Sequence, residues 1–203
     1  MNSDISEMPM QKRFQHLFDV ISGERFLKKQ GLGNEVPFFI CPYKPEEAVE
    51  MDRLQQKLAN RLEQSGIKVL PVNLYDMSID ILEREGDFEW IMENEKNATK
   101  QKLKEELQGL LDVQDVLIPE FARLIESNPH DVLFISGVGE VFPYIRSHNV
   151  LNNLQSTAKE KPTLMFFPGA YTQSIESGAS LDLFGRLHDD KYYRAFNIFH
   201  SEA

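Results

Sequence analysis

The chain is 203 residues long, 41% hydrophobic and 27% charged, with a formal net charge of −10 and a single cysteine. This composition is globular rather than disordered, and the length suffices to bury a core, most simply as one domain over 1–203. The acidic balance excludes bulk attraction to nucleic-acid phosphate, the lone Cys41 excludes an internal disulfide, and no apolar stretch approaches the ~20 residues of a membrane helix.

The opening MNSDISEMPMQKRFQ lacks the apolar core of a secretory signal, so a cytoplasmic protein without a membrane partner is expected. Met1 to Gln11 reads as a frayed tail. Phe14, Leu17, Phe18 and Ile21 predict a helix to about Ser22, and Glu24 to Gln30 a second short one. Gly31-Leu32-Gly33-Asn34 reads as a turn, and it precedes a strand, so it is no phosphate loop. Val36 to Cys41, with Phe38, Phe39 and Ile40, predicts the first strand, stopped by Pro42-Tyr43-Lys44-Pro45. Pro45 suits the first turn of a helix, and Glu46 and Glu47 suit the positive end of its dipole. Met51, Leu54, Leu58 and Leu62 give that helix an apolar stripe, Ser65-Gly66 ends it, and Ile67 to Leu74 predicts a second strand. Strand, helix and strand imply a parallel βαβ unit.

The intervening loop, CPYKPEE, lies where a mononucleotide-binding fold carries its phosphate-binding turn. Two prolines replace the glycines that would let backbone N–H groups face a phosphate, and Lys44 alone does not rebuild the motif. Cys41 reads as a buried core residue ahead of a nucleophile.

Residues 76–128 predict a helical insertion between strands, split first at Gly86-Asp87. Within it, Trp90 is expected in the core, with a partner anchor as the alternative. Leu103, Leu107, Leu110 and Leu111 form a helical stripe, and Ile118-Pro119-Glu120 opens a further helix that ends at Asn128-Pro129.

Val132 to Ile135 is an apolar run of the kind found in a strand buried on both faces. Ser136, Gly137, Val138 and Gly139 follow as a small-residue turn, and then Glu140, Phe142, Tyr144, Arg146 and His148 precede a helix starting near Ser147. Open α/β folds keep their sites at such strand ends. The dinucleotide fingerprint is nevertheless incomplete, since Phe142 stands where its third glycine would be, and the strand ends in Ser136 rather than in a Mg²⁺-binding acid. Glu140 reads as a hydrogen-bond acceptor ahead of an acid or base, Arg146 as its salt-bridge partner ahead of an anion site, and His148 as locally bonded. No second histidine or cysteine stands at metal-ligand spacing.

Thr163 to Phe167 predicts another buried strand, ended by Pro168-Gly169, with Ala170 to Gln173 as a loop. Leu181, Leu183, Phe184 and Leu187 cluster around Gly185, Arg186 to Lys191 form a charged turn, and Tyr192 to Phe199 predicts the last strand. The fold expected is α/β, with a mainly parallel central sheet flanked by helices, P-loop- or Rossmann-like but lacking a phosphate-binding loop. The candidate ligand- or partner-binding residues are Lys44, Gly137, Gly139, Glu140, Arg146, His148, Tyr171, Arg186, Tyr192, Tyr193 and Arg194. No catalytic residue, metal or cofactor is assigned.

The pieces PFFICPYKPEEA, GVGEVFPYIRSHNVLNNLQ, FFPG with its following Tyr171, and LDLFGRLHDDKYYRAFNI resemble the BrxB family of BREX phage-defence systems. The likeness runs from about residue 23 to residue 199 and is weaker over Asp76 to Glu126. It implies a cytoplasmic accessory subunit of an antiviral assembly that marks host DNA and blocks replication of unmarked phage DNA. It implies as partners the alkaline-phosphatase-like PglZ most directly, then the ATPase BrxC and the methyltransferase PglX, with DNA met only indirectly and a homodimer left open. It brings no catalytic residues. The leading expectation is therefore a non-catalytic interaction subunit. The rival is a nucleotide-binding or hydrolytic enzyme using the loops after Cys41, Ser136 and Phe167, and DNA contact within a larger complex is a third reading that the net charge disfavours.

Overall fold

The inner parallel strands of this protein bury apolar residues on both faces of the sheet, while an edge strand exposes Pro71. A computed structural model of the chain describes residues 5–30, 37–174, 178–189 and 195–202. In chain order, α1 (Met10–Ser22) and α2 (Glu24–Leu27) precede β1 (Phe38–Tyr43), and a 3-10 turn at Pro45–Glu47 leads into α3 (Ala48–Gln64) and β2 (Val69–Asn73). Four helices follow: α4 (Leu74–Glu85), α5 (Asp87–Asn94), α6 (Lys100–Leu110) and α7 (Ile118–Ser127). Then come β3 (Val132–Ser136), α8 (Ser147–Leu154), β4 (Thr163–Ser174), β5 (Gly178–Leu183), β6 (Leu187–Asp189), β7 (Phe196–Asn197) and a closing 3-10 turn at Ile198–His200.

The sheet runs β2-β3-β4-β1-β7 with every pairing on that path parallel, and β5 and β6 add an antiparallel hairpin to β4. Phe38, Ile40, Leu70, Val72, Leu133, Ile135, Met165 and Phe167 pack with Leu74, Ile81, Phe121, Leu151 and Leu154 of α4, α7 and α8. Their neighbours Phe39, Cys41, Val69, Phe134, Leu164 and Phe166 pack with Leu17 and Ile21 of α1 and Met51, Leu54, Leu58 and Leu62 of α3. The two-residue period thus fills two helix layers from one sheet. From β1 the chain crosses to the far edge at β2 and returns through β3 to β4, which lies beside β1. The order therefore reverses at β1 and β4, where open α/β sheets present a crevice. No helix among the described residues is long and apolar enough to cross a membrane.

Several boundaries differ from those read in the sequence, each for a local reason. β1 continues through Pro42 to Tyr43, paired with Phe167 and Pro168, while β7 reaches only Ile40. Beyond Ile40 the strand has one neighbour, an edge setting in which proline is tolerated. β2 ends at Asn73, because its Oδ1 accepts the N–H groups of Tyr75 (2.8 Å) and Asp76 (3.3 Å) and so starts α4 at Leu74. Pro168-Gly169 does not end β4. Tyr43–Pro168 is its last parallel pair and Gly169–Leu183 its first antiparallel one, so the strand changes partner there and runs through Ala170 to Gln173. The last strand is short, since Asn197 accepts the N–H of Phe199 (3.0 Å) and turns the chain into the closing 3-10 helix. The predicted turn at 31–34 lies outside the described residues. Trp90 is not in the core. Its neighbour Ile91 takes the buried position on α5, leaving Trp90 46% exposed.

Candidate functional site

The carboxyl ends of β1, β3 and β4 carry most of the candidate residues. After β1, the loop position that would face a phosphate is filled by a side chain. Glu47, at the end of the 3-10 turn, takes a two-pronged hydrogen bond from Arg13 of α1, Nη1 to Oε2 at 2.8 Å and Nη2 to Oε1 at 2.6 Å. It also leans back to within 3.4 Å of the N–H of Lys44. A carboxylate thus occupies the helix start, and Pro45 supplies no N–H there. Arg13 is buried, and its Nε donates to the carbonyl of Met8 (2.7 Å), so the guanidinium is held by three hydrogen bonds. Hydrogen bonding from Arg13 holds the Glu47 carboxyl below the usual range. Lys44, the one P-loop-like residue, pairs its ammonium with Glu7 (2.5 Å). Cys41 beneath this loop is fully buried, and burial pushes its thiol well above the ordinary thiol range, which suits a packing residue and not a nucleophile.

After β3, the two glycines answer packing demands. Gly137 has φ +73°, and a Cβ there would fall 2.2 Å from Oδ1 of Asn73, the oxygen that caps α4. A Cβ on Gly139 would fall 3.0 Å from both the Phe184 ring and Pro168. Phe184 is the first residue of the β5–β6 loop; it takes a left-handed conformation (φ +56°) and meets Phe142 edge-on at 6.4 Å. The hairpin tip therefore sits on the β3 turn. Glu140 is next in line. Partial desolvation, then repulsion from Asp52 and Asp76, push its carboxyl above the ordinary range. Asp52 is likewise raised by desolvation, and Tyr43 and Tyr144 are raised first by burial and further by the Glu140 charge.

A cavity of about 650 Å³ opens at the reversal point between β1 and β4, bounded by Tyr43, Lys44, Tyr171, Thr172, Phe184 and His200. Several polar groups along it are already engaged by the protein. The Lys44 ammonium is held by Glu7, and the Asn197 side chain caps Phe199. The Tyr171 hydroxyl donates to the carbonyl of Ala195 at 2.6 Å, and burial pushes that phenol up to about 12.

Lys44, Gly139 and Tyr171 thus come together around the hairpin, and Gly137 and Glu140 lie beside them over β2 and β3. His148 is buried within α8 instead. Arg146 is exposed, and the ion pair expected between Glu140 and Arg146 is not formed; Arg146 has no ion pair among the described residues. Arg186 is exposed in the β5–β6 loop. Tyr192, Tyr193 and Arg194 lie outside the described residues. Among the described residues, no group of three or more His, Cys, Asp or Glu side chains could hold a metal ion. Sequence reasoning missed the Arg13–Glu47 pair and the Phe184 clamp. Asn73 followed by a helical pattern was the available sign of the α4 cap.

A family model described as BREX protein BrxB matches residues 70–198. A BREX protein BrxB of Bacillus cereus (strain H3081.97) is 33% identical over 199 residues, spanning 92% of this chain and 96% of its own. A BREX protein BrxB of Escherichia coli O9:H4 (strain HS) is 29% identical over 189 residues, spanning 93% of this chain and 91% of its own. No solved structure matches at a comparable level.

Proposed function

The chain belongs to the BrxB family of BREX proteins, and we propose that it serves BREX phage defence as a non-catalytic interaction subunit. The observation that carries this reading is the Arg13–Glu47 pair. With a carboxylate fixed at the start of the helical segment after β1, the point where a nucleotide fold holds phosphate is both filled and negative. The glycines after β3 support it as well, because their lack of a side chain serves contacts with Asn73, Phe184 and Pro168. What the crown of the sheet leaves outward is charge: Arg146 and Arg186 are exposed beside the hairpin loop and the β3 turn. These arginines are the proposed contacts to another BREX protein, PglZ first and BrxC or PglX next.

The test is co-purification of the tagged chain with PglZ, using Arg146→Glu and Arg186→Glu. Charge reversal is expected to release PglZ and to weaken phage defence in parallel. If the complex survives intact while defence is lost, the interaction reading fails.

The cavity of about 650 Å³ favours a second reading, a nucleotide-binding or hydrolytic site bounded by Lys44 and Tyr171. A thermal-shift series with ATP, GTP and cyclic nucleotides separates the two, since a ligand bound to the native state raises its stability.

A further inference from the structure

α5 leaves a large apolar side chain in solvent on a face that no part of the described chain covers. Phe88 and Ile91 turn inward, while Trp90 and Met92 are 46% and 53% exposed. Trp90 is the only tryptophan of the chain. On a helix its same-side neighbours are three and four residues away, which here include Asp87 and Glu93, while Glu89 precedes it in the chain and flanks that face. An indole ring with carboxylates on both sides along the helix is a poor surface for water and a good one for a cation. The ring face attracts ammonium and guanidinium groups, and the carboxylates add charge-assisted hydrogen bonds.

The charge around it is lopsided. Glu83 to Glu95 holds six carboxylates against the single Arg84, half of the chain's net charge of −10. Arg84 offsets them only in part, because it is shared between Glu85 at 3.5 Å and Glu120 of α7 at 3.2 Å. Glu83, Asp87, Glu89, Glu93 and Glu95 make no ion pair among the described residues. Apart from the Arg84–Glu85 contact, no ion pair among the described residues offsets this acidic stretch, and its apolar centre is the residue type that most often anchors protein interfaces.

We propose that the outer face of α5 docks a basic, lysine- and arginine-bearing segment of a partner protein, with Trp90 as the anchor and Asp87, Glu89 and Glu93 as the charged rim. The inference rests on the interaction-subunit reading but uses residues of α5 in place of Arg146 and Arg186. α5 packs through Ile91 on the α4–α7 layer, away from the α1–α3 layer on the other side of the sheet.

The experiment co-expresses the tagged full-length chain with the other proteins of its own BREX system and measures recovery of each. The variants are Trp90→Ala and the double change Glu89→Lys with Glu93→Lys. A control double change, Glu50→Lys with Glu63→Lys, shifts net charge equally on exposed positions of α3. The Trp90 and α5 variants are expected to lower recovery of one partner by about tenfold or more, while the control retains it and all variants melt with the wild type. Zero-length carbodiimide crosslinking of the wild-type complex is expected to join Asp87, Glu89 or Glu93 to lysines of that partner. Equal loss in the control and α5 variants would reduce the effect to net charge and overturn the proposal, as would crosslinks confined to other faces. If wild type recovers BREX proteins and the α5 variants recover them equally, this inference alone fails. If wild type recovers none, the interaction-subunit reading fails with it.

Discussion

Replacing Gly137 by alanine should cost the protein far more than one methyl group ordinarily does. At φ +73° a Cβ meets the following carbonyl, which disfavours an L-residue by about 1–2 kcal/mol. The added carbon would also fall 2.2 Å from Oδ1 of Asn73 and 3.0 Å from the N–H nitrogen of Tyr75, so the cap on α4 must move. Loss of an Asn cap costs about 0.5–2 kcal/mol. Together the change is expected to destabilise the chain by about 2–3 kcal/mol. Urea denaturation reads this as a lowered midpoint with an unchanged slope. The double mutant sharpens the result: once Asn73→Ala has removed the cap, Gly137→Ala should cost only its backbone share, giving a coupling of about 1 kcal/mol. A stability within about 0.5 kcal/mol of wild type, or strict additivity with Asn73→Ala, would refute the packing account of Gly137. A glycine kept for close approach to a phosphate would instead spare stability and lose ligand binding on substitution.

Four further outcomes are expected. Arg13→Met leaves the partly exposed Glu47 carboxylate without its charged hydrogen-bond partner and should cost about 1–3 kcal/mol in the same assay. Because Glu47 has a depressed carboxyl in the folded chain, its contribution is full above the unfolded carboxylate value and is lost as the pH falls through its lower folded value; Glu47→Gln should therefore be less stable than wild type at pH 7 and approach it in acid. Glu140 runs the opposite way. Its raised carboxyl is an unfavourable charge above its folded pKa, so Glu140→Gln should melt slightly higher at pH 7, with the gain fading as the pH falls into the carboxylate range. Tyr171→Phe removes the hydrogen bond to the Ala195 carbonyl and should cost about 1–3 kcal/mol, seen as a lower melting temperature.

The parallel sheet was legible because burial on both faces leaves continuous apolar runs, as in Val132 to Ile135 and Leu164 to Phe167. The split of α4 from α5 was legible too, since Gly86 adopts the left-handed conformation that ends a helix. Local signals failed where a distant partner decided. Pro168-Gly169 reads as a stop, yet the presence of β5 turns it into a change of partner. Arg13 and Glu47 are 34 positions apart, and nothing in either neighbourhood announces their pairing. Gly137 and Gly139 stand out in the sequence, but the contacts that require them are with Asn73 and Phe184, on other elements. The bulk of Trp90 argues for burial, but Phe88 and Ile91 already supply the inward face of its helix.

The account turns on whether Glu47 takes the phosphate-holding position after β1, and nucleotide titration followed by thermal melting tests that most directly. A nucleotide bound at a hundredfold excess over its Kd adds about 2.7 kcal/mol of stability, roughly 5–10 °C for a chain of this size. With the Arg13–Glu47 pair in place, the melting temperature is predicted to stay unchanged in millimolar ATP or GTP with magnesium. A saturable rise that Lys44→Ala abolishes would contradict it.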